Sequence, residues 1–250
     1  MKNLNLVFVA LLFVCASPVQ AQSVDEIISN YFENTGGYAK WGELKNIKMS
    51  AKVNQGGLEI PLEIVQTAEG RQYTKINFQG QVIMQGVFDG ETLWGTNFQT
   101  MKAEKADAEA TEIQKLEKND FPESLYNYKT KGYNVELSGK ETMDGTETFK
   151  VKLTKEPITV DGQKVENITY YFFDVESFVL LAVESEIKSG PAKGMISQSK
   201  MSDYQEVNGL YFPFKLTQGV KGQGGQAITL DAIELNVEVN EKDFAYPDGE

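Results

Sequence analysis

The side chains that carry most enzyme chemistry are nearly missing from this sequence. Its 250 residues include no histidine, a single cysteine (Cys15) and a single arginine (Arg71), with lysine supplying the rest of the 24 basic residues. Without histidine there is no Ser-His-Asp triad, no imidazole base and no His-ligated metal. One arginine cannot build the multiple bidentate clamps that hold phosphates. The 36 acidic residues could supply paired carboxylates for glycoside hydrolysis, but most acids in any chain are solvated, so their number carries no signal. The Gly-rich run 219–225 leads into a predicted strand, whereas phosphate loops open a helix. Asp89-Gly90-Glu91 and Asp144-Gly145 lack the alternating ligands and distal Glu of a calcium loop and read as hairpin turns. The sequon Asn167-Ile168-Thr169 falls inside a predicted strand. No catalytic residue, metal or cofactor is expected, and a net charge of -12 repels nucleic acid and anionic membrane surfaces.

What the chain has in surplus is methionine, aromatic and aliphatic residues at strand positions. Met49, Leu62, Phe78, Met84, Phe88, Trp94, Phe172, Leu181, Phe212 and Phe214, spread over several predicted strands, are read as the inward-facing lining of an apolar cavity. Singly, each fits a solid core. As a set beneath a movable cover, they would form a site for flexible apolar chains. Arg71, beside Gly70, is the one candidate for a rim cation that meets an anionic head; a turn residue in solvent is the plainer reading.

Two kinds of element must position this set. Ser23 with Glu26 three residues later makes a capping box, and Val24, Ile27, Ile28, Tyr31 and Phe32 form a helical stripe that Gly36-Gly37 ends. A second short helical turn is expected over 38–44. From Asn46 the period becomes two, with turns at Gly56-Gly57, Glu69-Gly70 and Asp89-Gly90, as in an up-and-down meander. Residues 101–131 break that pattern and predict two helical pieces joined near Pro122. Strands resume from Tyr133 to Val239, for about eleven or twelve strands in all. In the last strand Ile228, Leu230 and Ala232 share one phase and Ile233, Leu235 and Val237 the other, which predicts a bulge. Several strands, such as 168–173 and 178–183, are apolar on both faces, so both faces need cover. A curved sheet with helices across its mouth can enclose an apolar interior.

The N-terminus reads as an address. Lys2, the apolar run 6–14 and Ala21 describe a cleavable secretory signal over 1–21, leaving a single domain over 22–250. Phe13 and Val14 precede Cys15 where lipid attachment requires a small residue, so soluble export is expected in place of a lipid anchor.

Ile27-Ile28-Ser29-Asn30-Tyr31 running into Thr35-Gly36-Gly37, Leu44-Lys45-Asn46-Ile47-Lys48-Met49, Phe88-Asp89-Gly90 with Leu93-Trp94-Gly95, and Tyr171-Phe172-Phe173-Asp174 before Leu180-Leu181 form a familiar pattern. So do Ser202-Asp203-Tyr204 with Gly209-Leu210-Tyr211-Phe212-Pro213, and the tail Phe244-Ala245-Tyr246-Pro247. On these residues the chain resembles the LolA/LolB-like superfamily of periplasmic lipoprotein carriers, in particular its outer membrane lipoprotein-sorting branch. The resemblance implies a mainly β (α+β) fold: a single strongly curved antiparallel sheet, an incomplete β-barrel of about eleven strands with a helical lid. It also implies a non-enzymatic periplasmic carrier, expected to be a monomer, that binds lipoprotein acyl chains or another lipid and works with membrane-bound loading and acceptor proteins. A non-catalytic structural or partner-binding module with a packed interior is the alternative.

Overall fold

The computed structural model describes residues 22–247, so the expected signal peptide and Cys15 lie outside the described residues. The alternating segments form thirteen strands: β1 (Asn46–Gln55), β2 (Leu58–Thr67), β3 (Gln72–Phe78), β4 (Gln81–Phe88), β5 (Leu93–Thr96), β6 (Ala103–Lys105), β7 (Asn134–Met143), β8 (Thr146–Val160), β9 (Gln163–Asp174), β10 (Leu180–Glu186), β11 (Ile196–Val207), β12 (Leu210–Val220) and β13 (Gly225–Leu235). They make one antiparallel sheet in the order β6-β5-β4-β3-β2-β1-β13-β12-β11-β10-β9-β8-β7. Consecutive strands are neighbours except β6 and β7, and the β1–β13 pairing joins the two halves. β6 and β7 remain as free edges, so the sheet curves without closing.

The expected bulge is present. Ser50 pairs with Ala232 and Ala51 with Leu230, leaving Asp231 as the extra residue. That slip puts Leu230 and Ile233, three apart, in the same buried cluster.

Helix α1 (Val24–Asn34) starts as its sequence dictates. The Ser23 hydroxyl accepts from the Glu26 amide at 3.2 Å, and the Glu26 carboxylate accepts from the Ser23 amide at 2.8 Å. Its buried stripe of Ile27, Ile28, Tyr31 and Phe32 faces the sheet. Gly36 and Gly37, both at positive φ, turn the chain into α2 (Tyr38–Gly42), whose Trp41 is buried. A side chain at Gly36 would fall on the carbonyl of Gly209.

The 101–131 region differs from expectation in two ways. Its first residues add β6 to the edge of β5, and helix α3 (Ala108–Glu117), extended by a 3-10 turn (Lys118–Asp120), is followed by successive turns in place of a second helix. The i, i+3 spacing of Leu125 and Tyr128 suits a turn as well as a helix. α3 spans the opening of the sheet. Gln114 accepts from the Gln72 side chain of β3 at 3.3 Å, while Glu109 accepts from the amides of Asp161 and Gly162 at 2.9 and 2.8 Å in the β8–β9 turn.

Candidate functional site

The concave face of the sheet is the surface that α1 and α2 cover. Its floor includes Ile47, Phe149, Val151, Leu153, Tyr171, Phe173, Leu180, Leu210, Phe212 and Ile233, in one cluster with Ile27, Phe32, Trp41 and Leu125 from the cover. Aromatic rings make the joint. Phe32 sits edge-on to Tyr38, Trp41 and Tyr126 at 5.2, 5.8 and 5.6 Å, and Trp41 tilts against Phe212 at 5.2 Å. The indole N–H of Trp41 donates to the Thr35 hydroxyl at 3.1 Å, which in turn donates to the Tyr31 carbonyl at 2.7 Å, so this polar chain is satisfied inside the core.

The ten residues singled out from the sequence do not share one surface. Met49, Leu62, Phe212 and Phe214 belong to the concave cluster. Ile76 pairs with Leu62, and Phe78 follows two residues later on the same face. Phe88, fully buried and paired with Gln72, faces away from its neighbour Val87 and so also looks inward. Met84 and Trp94 instead lie on the outer face with Val65, Tyr73 and Val87, under the C-terminal segment. There the Trp94 indole donates to the carbonyl of Phe244 at 3.0 Å. Phe172 is likewise on the outer face, in a cluster with Met143 and Ala182 and with the Lys150 ammonium 5.4 Å from its ring centre. Leu181 is the extra residue of a bulge, since Leu180 pairs with Phe173 and Ala182 with Phe172. Arg71 is held by Glu241 at 3.2 Å and Glu69 at 3.8 Å, beside the Phe244 ring, and lines a cleft described below.

The sequence reading missed most of the floor. In β9, Tyr171 and Phe173 face inward while Phe172 faces out, and a strand apolar in both phases gives no means of choosing between them. The one signal available was the longer run of inward partners, Phe149, Val151 and Leu153, which alternate cleanly with Lys150 and Lys152.

At its two ends the cover is fastened differently. Among the described residues, the one backbone hydrogen bond from α1 and its cap to the sheet runs from the Tyr211 amide to the Thr35 carbonyl, at 3.0 Å, next to Gly36. At the opposite end, Asp25 is tied to the turn segment 121–133 by the Lys129 ammonium at 2.8 Å and by the Tyr128 hydroxyl. Those hydrogen bonds, Lys129 first, hold the Asp25 carboxyl below its ordinary value. A lowered carboxyl contributes stability above the unfolded value and loses it as pH falls through the folded one. Protection of α1 amides in wild type should therefore persist at neutral pH and fall only in strongly acid solution. Because this pair is exposed, Asp25→Asn should speed amide exchange at Ile27 and Ile28 by no more than about fivefold at neutral pH, corresponding to ~1 kcal/mol.

Beneath the cover, the centre is filled by the protein's own side chains: Ile27, Phe32, Phe173 and Val151 are 0% exposed. Space opens at the margins. A groove of about 330 Å³ separates α1 from the turn segment, lined by Ile28, Leu125 and Tyr128 among others. A second cleft, about 390 Å³, lies where α3 and the Phe121-Pro122 turn meet β2 and β3, and its lining is mainly polar. Among the described residues, no group of three or more His, Cys, Asp or Glu is placed to hold a metal, and no helix is long and apolar enough to cross a membrane.

No protein-family model matches the chain, and no curated protein matches it. Solved structures do. A DUF1329 family protein from Desulfovibrio piger superposes with a TM-score of 0.54 at 11% identity, covering 90% of this chain and 98% of that one. A LolA superfamily protein from Nitrosomonas europaea superposes with a TM-score of 0.52 at 12% identity, over 90% of this chain and 98% of that one. The chain has a LolA-type fold. At these identities the LolA-type likeness fixes the architecture: one curved, unclosed antiparallel sheet with helices on its concave side.

Proposed function

We propose that the protein is a periplasmic carrier that holds the acyl chains of a lipoprotein, or of another lipid, on its concave face. In this reading α1, α2 and residues 121–133 are a lid, and membrane-bound partners load and unload the cargo. The observation that carries it is how the cover is attached. An apolar floor spanning many strands is covered by a helix with one backbone bond to the sheet, placed beside two positive-φ glycines. Such a helix can lift from the floor as a body, its chain swinging about Gly36-Gly37, once the Asp25 latch and the Thr35–Tyr211 bond have opened, and the exposed floor would then be covered by lipid. Each buried CH₂ of an acyl chain returns about 0.8 kcal/mol, so a chain of ordinary length can offset the loss of lid packing.

The reading is tested by native mass spectrometry of the purified protein together with uptake of a dansyl-labelled fatty acid. Bound lipid or saturable uptake is expected. Met49→Asp and Phe214→Asp, half-buried on the concave side, should each weaken uptake by about tenfold or more, because a charge would face the acyl chain. Met84→Asp, on the outer face, should leave it unchanged. The fully buried centre favours a second reading, a partner-binding module whose interior stays packed. A lipid-free protein that takes up no probe would select that one.

A further inference from the structure

The cleft at the seam of the sheet is chemically unlike the floor beside it. Gln66 and Gln72 pair across β2 and β3, and Gln66 lies opposite the inward-facing Ile47, so both amides look into the concave side. Gln114 of α3 closes over them. That residue is 8% exposed, its carbonyl oxygen is occupied by Gln72, and its amide nitrogen has no protein partner. Since every fully buried side-chain nitrogen and oxygen among the described residues is bonded, that free N–H₂ is the part of Gln114 that reaches the cleft.

The charges in the lining cancel. Arg71, Lys118 and Lys155 face Glu117, Asp120 and Glu123. Two of the three cations are already engaged: Arg71 with Glu241 and Glu69, and Lys155 with Asp120 at 2.5 Å. No cationic cluster is left to hold a phosphate or a carboxylate. Glu123 is half-buried, and desolvation pushes its carboxyl above the usual carboxylate range. The Phe121 ring joins this polar wall to the main apolar cluster.

We infer that this cleft binds a neutral polyhydroxylated ligand, a mono- or disaccharide unit, with its hydroxyls on the Gln66, Gln114 and Glu123 side chains and a C–H face against Phe121. Hydroxyls donate and accept from the same atom, which suits a wall of amide groups and carboxyl oxygens with balanced charge better than any ion does. The volume of about 390 Å³ falls in the ~300–1,000 Å³ range of small-molecule sites. The inference does not depend on the carrier reading, because the ligand would occupy space that exists with the lid closed.

The test is saturation-transfer NMR on the full mature protein with the methyl glycosides of glucose, galactose, mannose and N-acetylglucosamine. Transfer to at least one glycoside is expected, with affinity reduced about tenfold by Gln114→Leu, as a lost hydrogen bond that strands a polar partner predicts. Should Gln114→Leu fold poorly, Gln66→Ala removes an exposed amide and should weaken the same glycoside while leaving the melting temperature unchanged. Octyl glucoside, kept below micelle formation, separates the sources. Binding tighter than methyl glucoside means a sugar borne on a lipid, and equal binding means a free saccharide. No transfer to any glycoside, or transfer unaffected by both substitutions, overturns the inference, as does tighter binding of inorganic phosphate. Fatty-acid uptake is read separately, so loss of one property leaves the other standing.

Discussion

Phe32→Ala should lower the melting temperature by roughly 6–20 °C. The ring is 0% exposed and meets four other aromatic rings, Tyr31, Tyr38, Trp41 and Tyr126, at 5.0 to 5.8 Å. Truncating a buried Phe costs about 3–5 kcal/mol through lost transfer energy and the cavity left behind. Each kcal/mol is worth about 2–4 °C in a chain of this size. No disulfide can offset the loss, because the only cysteine is Cys15. Differential scanning calorimetry measures it. A shift of less than about 2 °C, at most about 1 kcal/mol by the same scaling, would mean that α1 is not docked on the sheet in solution. Exchange adds a distinction that melting cannot make. If the lid opens before the sheet unfolds, the gain in exchange at α1 will exceed the gain at β9 and β10, the strands of the floor.

The parts of this architecture that were legible in the sequence are those set by neighbours along the chain. The capping box at Ser23, the hairpin turns and the bulge at Asp231 depend on residues within a few positions of one another, and the structure has all three. Contacts between distant segments decided the rest. Leu125 and Tyr128 look helical by spacing, yet their segment is fixed by Tyr38, stacked 4.5 Å from Tyr126, and by Asp25, bonded to Tyr128. β6 is three residues long, too short to show a period, and becomes a strand because β5 offers a free edge. Strand phase alone places Trp94 on the inner face. The cover it finds is Phe244, 150 residues away, on the face opposite the helices. Choosing the face of a doubly apolar strand thus required knowing where the C-terminal segment runs. The same holds for the cleft: its glutamines sit on three elements, and none forms a motif.

Tethering α1 to the sheet should abolish uptake of the dansyl fatty acid, and reduction should restore it. The tether follows from an existing contact: the Asn34 side-chain amide donates to the Ser177 carbonyl at 2.8 Å, which holds these two segments together. Because residues 22–250 contain no cysteine, Asn34→Cys with Ser177→Cys has no third thiol in the same chain to pair with, and the monomer fraction on non-reducing gels carries the intended bridge. The position matters. Asn34 ends α1 on the side opposite the Asp25 latch, so a bridge there blocks lifting of the helix as a body while leaving the latch chemistry intact. A ligand that binds only an open state gains nothing from a protein that cannot populate it, so apparent affinity falls with the open fraction. Uptake in the oxidised form should drop at least about a hundredfold, equivalent to ~2.7 kcal/mol, and return on adding reductant. Glycoside binding in the seam cleft should be the same in both redox states, because α3, residues 121–124, Lys155 and β2–β3 line that site and no residue of α1 does. If the oxidised protein takes up the fatty acid as well as the reduced one, acyl chains do not enter beneath α1. The groove between α1 and residues 121–133 would then be the place to look, with Leu125→Asp, a fully buried residue on its wall, reserved as the next variant.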